Sequence, residues 1–412
     1  MPVPASRPPG WLGAPPDAVW PGPKTPLAND VNPFVAFRTL LWSHHRALAA
    51  GWSDAQFVDT ARRLDEAVAA IDGRGFRTTP LVHQTALATA VSQTGGIWTK
   101  DETANVSGSH KARHLFGLAL HLVVDGVPVD TPLAISSCGN AALAAAIVAK
   151  AAGRPLVVNV PVWADVAILD RLDDLGADIR VCERRNDEEG DPCILRFREL
   201  VSNGAIPFTV QSTEAPWTID GGRTLGFELA NELADRQLAP TRLLIQVGGA
   251  ALASSTVQAL TDAVDLGGPD ILPGGRPALV AVQTEGCAPL ARAFNRVAEA
   301  DDAMAAILEP DGHHMWPWEN PRSEATGILD DTTYDWRPVV FDMLLGPTPG
   351  GGPVVAPETD VVEAHHLVRA HTDVKADATG TAGLAGLLTA RRDGCIDASE
   401  TIVILLTGVE RS

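Results

Sequence analysis

The sequence contains no stretch approaching the roughly 18 uninterrupted apolar residues that a membrane-spanning helix requires, and no basic segment leads into an apolar run at its start. A cytoplasmic protein is the expectation. Positive charge is also in short supply: 32 Lys and Arg face 51 Asp and Glu, for a net charge of −19. Such a surface repels a phosphodiester backbone and an anionic bilayer, so neither nucleic acid nor membrane is an expected partner, whereas a small zwitterion remains open. The five cysteines, Cys138, Cys182, Cys193, Cys287 and Cys395, are odd in number, scattered and never spaced C-x-x-C. That pattern supports neither a disulfide framework nor a structural zinc site. The histidine pairs at 44–45, 313–314 and 365–366 do not suggest a metal either, because adjacent side chains of an extended loop point apart. Lysine is rarest of all among the charged residues. Only Lys24, Lys100, Lys111, Lys150 and Lys375 occur, so arginine carries nearly all the positive surface.

What is present is a long, apolar-rich chain, sufficient for a large core and for two lobes. Residues 1–33 are rich in Pro and Gly ("MPVPASRPPGWLGAPPDAVWPGPKTP") and read as an arm lying on the surface or reaching a neighbour; Lys24 belongs to it. From Phe34 to Ile71 apolar residues recur at helical spacing, with Ser53 or Asp54 as a cap. Beyond residue 130 apolar strands alternate with helices predicted over 140–152, 165–175, 192–202, 222–236 and 252–265. Alternation of this kind implies an α/β fold of parallel sheets covered on both faces, with ligands at the carboxyl ends of the strands. The pattern breaks between about 300 and 356, where "GPTPGGGP" reads as a flexible connection. Small residues in "GTAGLAG" (380–386) suit a helix packed closely on a sheet. There is no internal repeat and no heptad pattern.

Three small-residue turns follow apolar strands: "SSCGNAA" (136–142), "VGGAALASS" (247–255) and "LTGVE" (406–410). Small residues at a strand-to-helix turn let backbone amides approach an anion, and the helix start adds a favourable dipole. None is a P-loop, and "GGAALA" lacks the G-x-G-x-x-G spacing of a dinucleotide fold. Taken singly, each turn is equally well explained by tight helix packing. Upstream, "KDETANVSGSHKARH" (100–114) places two of the rare lysines around a Ser-Gly-Ser turn. Lys111 is either a solvated charge on the first turn of a helix over 110–122 or a reactive amine, and desolvation is what makes an amine reactive.

The order of these segments resembles the fold type II pyridoxal-phosphate (PLP) enzymes, the group of threonine synthase, the serine/threonine ammonia-lyases, cysteine synthase and the tryptophan synthase β chain. "KDETANVSGSHKAR" is similar to their Schiff-base segment, "SSCGNAA" to their Ser-Ser/Thr-Gly-Asn loop, "VGGAALA" to their phosphate loop, and "LLTG" to the strand that meets the pyridine nitrogen. "GFRTTPL", "AVQTEGCAPL" and "RSEATGI" fall in the same order, the last two nearest to threonine synthase-like members. The resemblance spans about 74–409. It implies a two-lobed α/β fold like that of the tryptophan synthase β chain, with open, mostly parallel sheets and helices on both faces. The expected division is an arm (1–33), a large cofactor-binding lobe (34–129 and 210–412) and a small lobe (130–209).

By the same resemblance Lys111 is the Schiff-base lysine, and the amides of Gly248, Gly249, Ala250 and Ala251 hold the cofactor phosphate. Asn140 donates to the ring oxygen, Thr407 meets the ring nitrogen, and Ser137, Cys138, Gly139 and Asn140 receive the substrate carboxylate. Cys138 stands where the family has Ser or Thr, and Ala250 and Ala251 stand where it has more glycine, which demands negative φ or mild strain there. Glu285 and Ser323 match positions near the cofactor, and the His313, His314, Trp316, Trp318 loop is either packing or substrate recognition. Lys100 is expected to face Glu102 or solvent, and Lys150 to complement a helix C-terminus. The implied reaction is β-elimination on a small amino acid through an aminoacrylate. The alternatives are a β- or γ-replacing synthase like cysteine synthase or threonine synthase, the latter with a phosphorylated substrate that needs a basic pocket only Arg184-Arg185 suggests, and, in another class, a non-catalytic ligand-binding protein or a nicotinamide enzyme. A homodimer is implied.

Overall fold

A computed structural model describes residues 7–21, 32–185 and 188–411; Lys24, with residues 1–6 and 22–31 of the Pro- and Gly-rich arm, lies outside the described residues. In chain order the strands are β1 (Leu81–His83), β2 (Ile97–Asp101), β3 (Leu133–Ser136), β4 (Leu156–Pro161), β5 (Asp178–Cys182), β6 (Ile206–Pro207), β7 (Arg242–Gln246), β8 (Ala278–Thr284), β9 (Gly352–Ala356) and β10 (Ile402–Leu406). They form a six-stranded sheet, β1-β2-β10-β7-β8-β9, and a four-stranded sheet, β5-β4-β3-β6. Chain contacts separate two compact units. One holds residues up to Gly13, Thr79–Ala104 and the chain from Leu225 onward; the other holds Ala14–Thr78 and Asn105–Thr224.

The six-stranded sheet is parallel except for β1, which runs antiparallel to β2 at one edge. Its strands β10 and β8 are buried at every residue, which is why "IVILL" and "ALVAVQT" read as largely unbroken apolar runs rather than alternating ones. Helix Ala378–Arg392 packs on β7, β8, β9 and β10. A Cβ at Gly383 would lie 2.8 Å from Ile404 Cγ2, and one at Gly386 would collide outright with Val282 Cγ2, so the small residues of 380–386 do permit the close approach. Residues 7–13 of the arm belong to this unit. Trp11 meets Phe341 edge-on at 5.5 Å, and Leu12 N donates to Gln258 Oε1 at 2.6 Å.

The four-stranded sheet is parallel throughout. Helix Asp54–Asp72 opens on Ser53 with a reciprocal capping box to Gln56 and stops at Gly73, whose φ is +79°. This helix and Lys111–Val124 both pack on the alanine-rich helix Asn140–Ala151, while Phe34, Phe76 and Phe116 interlock with ring centroids 4.5 to 5.1 Å apart. These contacts explain why the units are cut at other points than the expected lobes: helices within residues 34–78 and 105–124 pack on helix Asn140–Ala151, which itself packs on the smaller sheet. Among the described residues no helix is long and apolar enough to cross a membrane.

Candidate active site

The two lysines of the 100–114 segment have opposite surroundings. Lys100 lies in β2 and is fully buried. Its Nζ donates to Glu228 Oε2 (2.9 Å), Glu232 Oε2 (2.6 Å) and the Thr79 carbonyl. The expectation that it faces Glu102 or solvent is therefore corrected, and Glu102 instead accepts from Thr79 Oγ1 at 2.6 Å. Lys111 is the first residue of helix Lys111–Val124 and is half-buried. The turn before it is tight: Ser107 has φ +58° and Gly108 +70°, and Ser107 N donates to Asp72 Oδ2 at 3.1 Å. One helical turn beyond Lys111, the imidazole of His114 is buried, with Nδ1 on the Thr218 carbonyl at 2.9 Å. Burial, and then the charge of Lys111, push His114 down to about 3. It is neutral, with its proton on Nδ1, and adds no positive charge beside Lys111.

In the same unit β3 runs through the 137–139 turn into helix Asn140–Ala151, and the 106–108 turn ahead of Lys111 packs on that helix. The helix starts at Gly139 with no side-chain cap, so first-turn amides face outward from its N-terminus. One detail departs from expectation. Ser137 N is already spent on the Asn159 carbonyl (3.2 Å), extending the β3–β4 ladder, while Gly139 N approaches Ser137 Oγ at 3.4 Å. Ser137 thus offers a side chain rather than an amide to this turn. The Cys138 thiol is pushed up by burial and stays protonated, a small weakly polar group in place of a hydroxyl.

In the other unit the turn after β7 has the character of a phosphate cradle. The 17-residue helix Ala251–Gly267 begins after Ala250, which is left-handed (φ +73°, ψ 3°), and no side chain caps it. Its first amides are left to an anion. Gly248 cannot be larger, since a Cβ would collide with Asp330 Oδ2 and lie 2.9 Å from Ile328 Cα. Ala250 resolves the question raised by the missing glycine: the loop keeps the left-handed geometry and carries the strain of a Cβ. Thr407 follows β10, the neighbour of β7, and is buried, with Oγ1 accepting from Gln246 Nε2. An uncapped helix start beside a buried hydroxyl fits a ligand with a phosphate and a hydrogen-bonding ring atom.

Other expected contributors are occupied elsewhere. Glu285 Oε1 accepts from Glu358 N (3.2 Å), and Glu358 Oε1 accepts from Ser323 Oγ (3.2 Å) and Glu324 N (2.7 Å), so Glu285 and Ser323 organise the start of helix Glu358–His371. His313 and His314 both meet Glu309, and Trp316 and Trp318 flank the Arg292 guanidinium. Lys150 Nζ donates to the Asp174 carbonyl at 3.0 Å. The sequence reading assigns no role to three further residues: His114, Gln246, and Asp377, which caps helix Ala378–Arg392 through Gly380 N (2.6 Å) and is pushed up to about 6 by burial. A glutamine directly after the buried apolar run Leu243–Ile245 is the available signal for Gln246.

Parallel sheets whose strand ends run into uncapped helix starts, with a half-buried lysine heading a helix, make an α/β scaffold suited to anionic ligands. Residues 74–408 match the family described as "Pyridoxal-phosphate dependent enzyme", and the chain belongs to that family. Its cofactor is PLP rather than a nicotinamide. The chain is 27% identical over 317 residues to the threonine synthase of Methanosarcina acetivorans, covering 76% of this chain and 69% of that one. It is 29% identical over 184 residues to the L-threonine ammonia-lyase of Thermotoga maritima, covering 44% and 43%. The solved threonine deaminase from T.th. shares the fold, with a TM-score of 0.62 at 20% identity over 85% of this chain and 98% of that one.

Proposed function

We propose that the protein is a PLP-dependent lyase that removes the β substituent and the amino group of a small amino acid. The observation that carries this reading is the buried hydroxyl of Thr407 at a strand end beside the phosphate-type turn. A hydroxyl there, in place of a carboxylate, leaves the ring less electron-withdrawing and favours elimination or replacement over transamination. When bound, PLP supplies an aldehyde to an amine and a ring that spreads charge from the substrate α carbon. Lys111 would provide that amine and, when free, would take the α proton of the bound amino acid. His114 beside it is neutral and adds no positive charge of its own. The amides of 248–251 anchor the phosphate, Asn140 orients the ring oxygen, and the 137–140 turn receives the carboxylate. Water then releases a keto acid and ammonia.

Replacement chemistry is the second reading, supported by similarity to threonine synthases over 76% of the chain. Against a phosphorylated substrate, the guanidinium groups of the candidate basic residues are engaged: Arg184 with the Glu188 carbonyl, and Arg185 with the Glu199 carboxylate. Incubating the holoenzyme with L-serine or L-threonine, with and without an added thiol as the replacing nucleophile, tests the choice. Equal yields of keto acid and ammonia are expected, and a new amino acid without keto acid would overturn elimination. Lys111→Ala is expected to lose the imine absorbance and about 10³-fold in turnover with unchanged circular dichroism; full activity in that variant would reject Lys111.

A further inference from the structure

We infer that Gln246 is a positioning residue that fixes which way the Thr407 hydroxyl points its proton, and so keeps the cofactor's ring nitrogen unprotonated. The inference rests on the assignment of Thr407 to that nitrogen. Gln246 ends β7 and is buried. Its Nε2 donates to two acceptors, Thr407 Oγ1 and the Gly380 carbonyl (3.2 Å). A carbonyl can only accept, so Gly380 dictates the amide's orientation; the flipped amide would set two oxygens against each other. This orientation leaves Gln246 Oε1 buried with no partner. The fold accepts that loss while holding the N–H pair on Thr407 and Gly380.

A hydroxyl has one proton and two lone pairs. With one lone pair taken by Gln246, the buried Thr407 O–H is best satisfied by donating to an unprotonated ring nitrogen. A protonated ring would need Thr407 to accept twice and leave its own proton unmet. Gln246 therefore acts through Thr407, disfavouring the charged ring that transamination needs.

The test uses holoenzyme loaded with PLP carrying ¹⁵N in the ring, read by NMR in the wild type, Gln246→Glu, Gln246→Met and Thr407→Val. In Gln246→Glu the introduced carboxyl, when neutral, can donate to the Gly380 carbonyl and accept from Thr407, reversing the hydrogen bond and turning a lone pair toward the ring. The wild type should show the shift of an unprotonated pyridine nitrogen. Gln246→Glu should move it toward the protonated value and raise conversion of the cofactor to its amine form about tenfold per turnover, the ratio that ~1.4 kcal/mol of lost preference gives. Gln246→Met, which removes the donor at similar volume, should move it in the same direction by less. A protonated nitrogen in the wild type overturns the inference. So does a signal that responds to Thr407→Val but to neither Gln246 variant. If Thr407→Val changes nothing, the Thr407 assignment itself falls, and the Gln246 role with it.

Discussion

At the scale of single residues, two lysines of one short segment have been put to different uses by their neighbours. Lys100 is surrounded by Glu228, Glu232 and the Thr79 carbonyl with no exposure, and removing it would strand buried carboxylates. Lys100→Met is therefore expected to destabilise the fold by about 3–5 kcal/mol, seen as a lower denaturation midpoint, whereas Lys111→Ala should leave that midpoint nearly unchanged. A shared midpoint for the two variants would contradict this division of labour. Ala250 makes a complementary case. Its φ of +73° costs a residue with a Cβ about 1–2 kcal/mol, and glycine returns part of that gain as unfolded-state entropy. Ala250→Gly should stabilise by about 0.5–1 kcal/mol, measured by urea denaturation; a destabilised variant would show that the left-handed geometry is not maintained in solution.

Elements show how a sequence states packing. At Gly386 a side chain would run into Val282 on β8, so Gly386→Ala must push helix Ala378–Arg392 away from four strands at once. A loss of about 1–3 kcal/mol is expected, whereas Gly→Ala in a free helix would gain stability; a gain on thermal denaturation would mean that the helix is not seated as described. This face was legible from the spacing of small residues alone. Central strands were legible for a related reason, since burial on both faces leaves mainly apolar choices. Helix Pro192–Ser202 falls where a helix near 192–202 was expected, its start fixed by the Asp191 cap and by Pro192 in the first turn. Helix Thr218–Asp235 begins four residues before its expected start at 222, because Trp217 just ahead of it is no capping residue. Strands β1, β2 and β9, toward the margins of the larger sheet, were not legible. β1 has three residues and β9 mixed burial, and β2 hides its lysine inside, which no local periodicity can announce. One partner that explains Lys100 lies 128 positions away. Motifs close in sequence could be read; the long-range hydrogen bonds of Lys100, Gln246 and Glu285 could not.

On the scale of the whole molecule, the net charge of −19 makes the ionisation of buried acids a matter of stability as well as chemistry. Asp377 is pushed up to about 6, first by burial, with Glu410 acting in the same direction and Arg411 and the Gly380 amide against it. Its folded state therefore holds a proton that the unfolded chain gives up near 3.8. The stability this confers is fully present below about 3.8 and is lost as pH rises through about 6. His114 works in the opposite direction. Burial and Lys111 hold it neutral down to about 3, so its contribution is complete above about 6.5 and is lost as pH falls. Between about pH 4 and 6 the two slopes oppose, each limited to about 1.4 kcal/mol per pH unit. Asp377→Asn keeps an acceptor for the Gly380 amide and removes one of them. Relative to the wild type, that variant should gain little at about pH 4 and about 2–3 kcal/mol by about pH 7, with its own stability rising more steeply across the interval. Thermal midpoints of both proteins at closely spaced pH values measure it. A difference that stays constant across that range would mean that Asp377 titrates in the folded chain as it does in the unfolded one, and that its carboxylate is not kept from water.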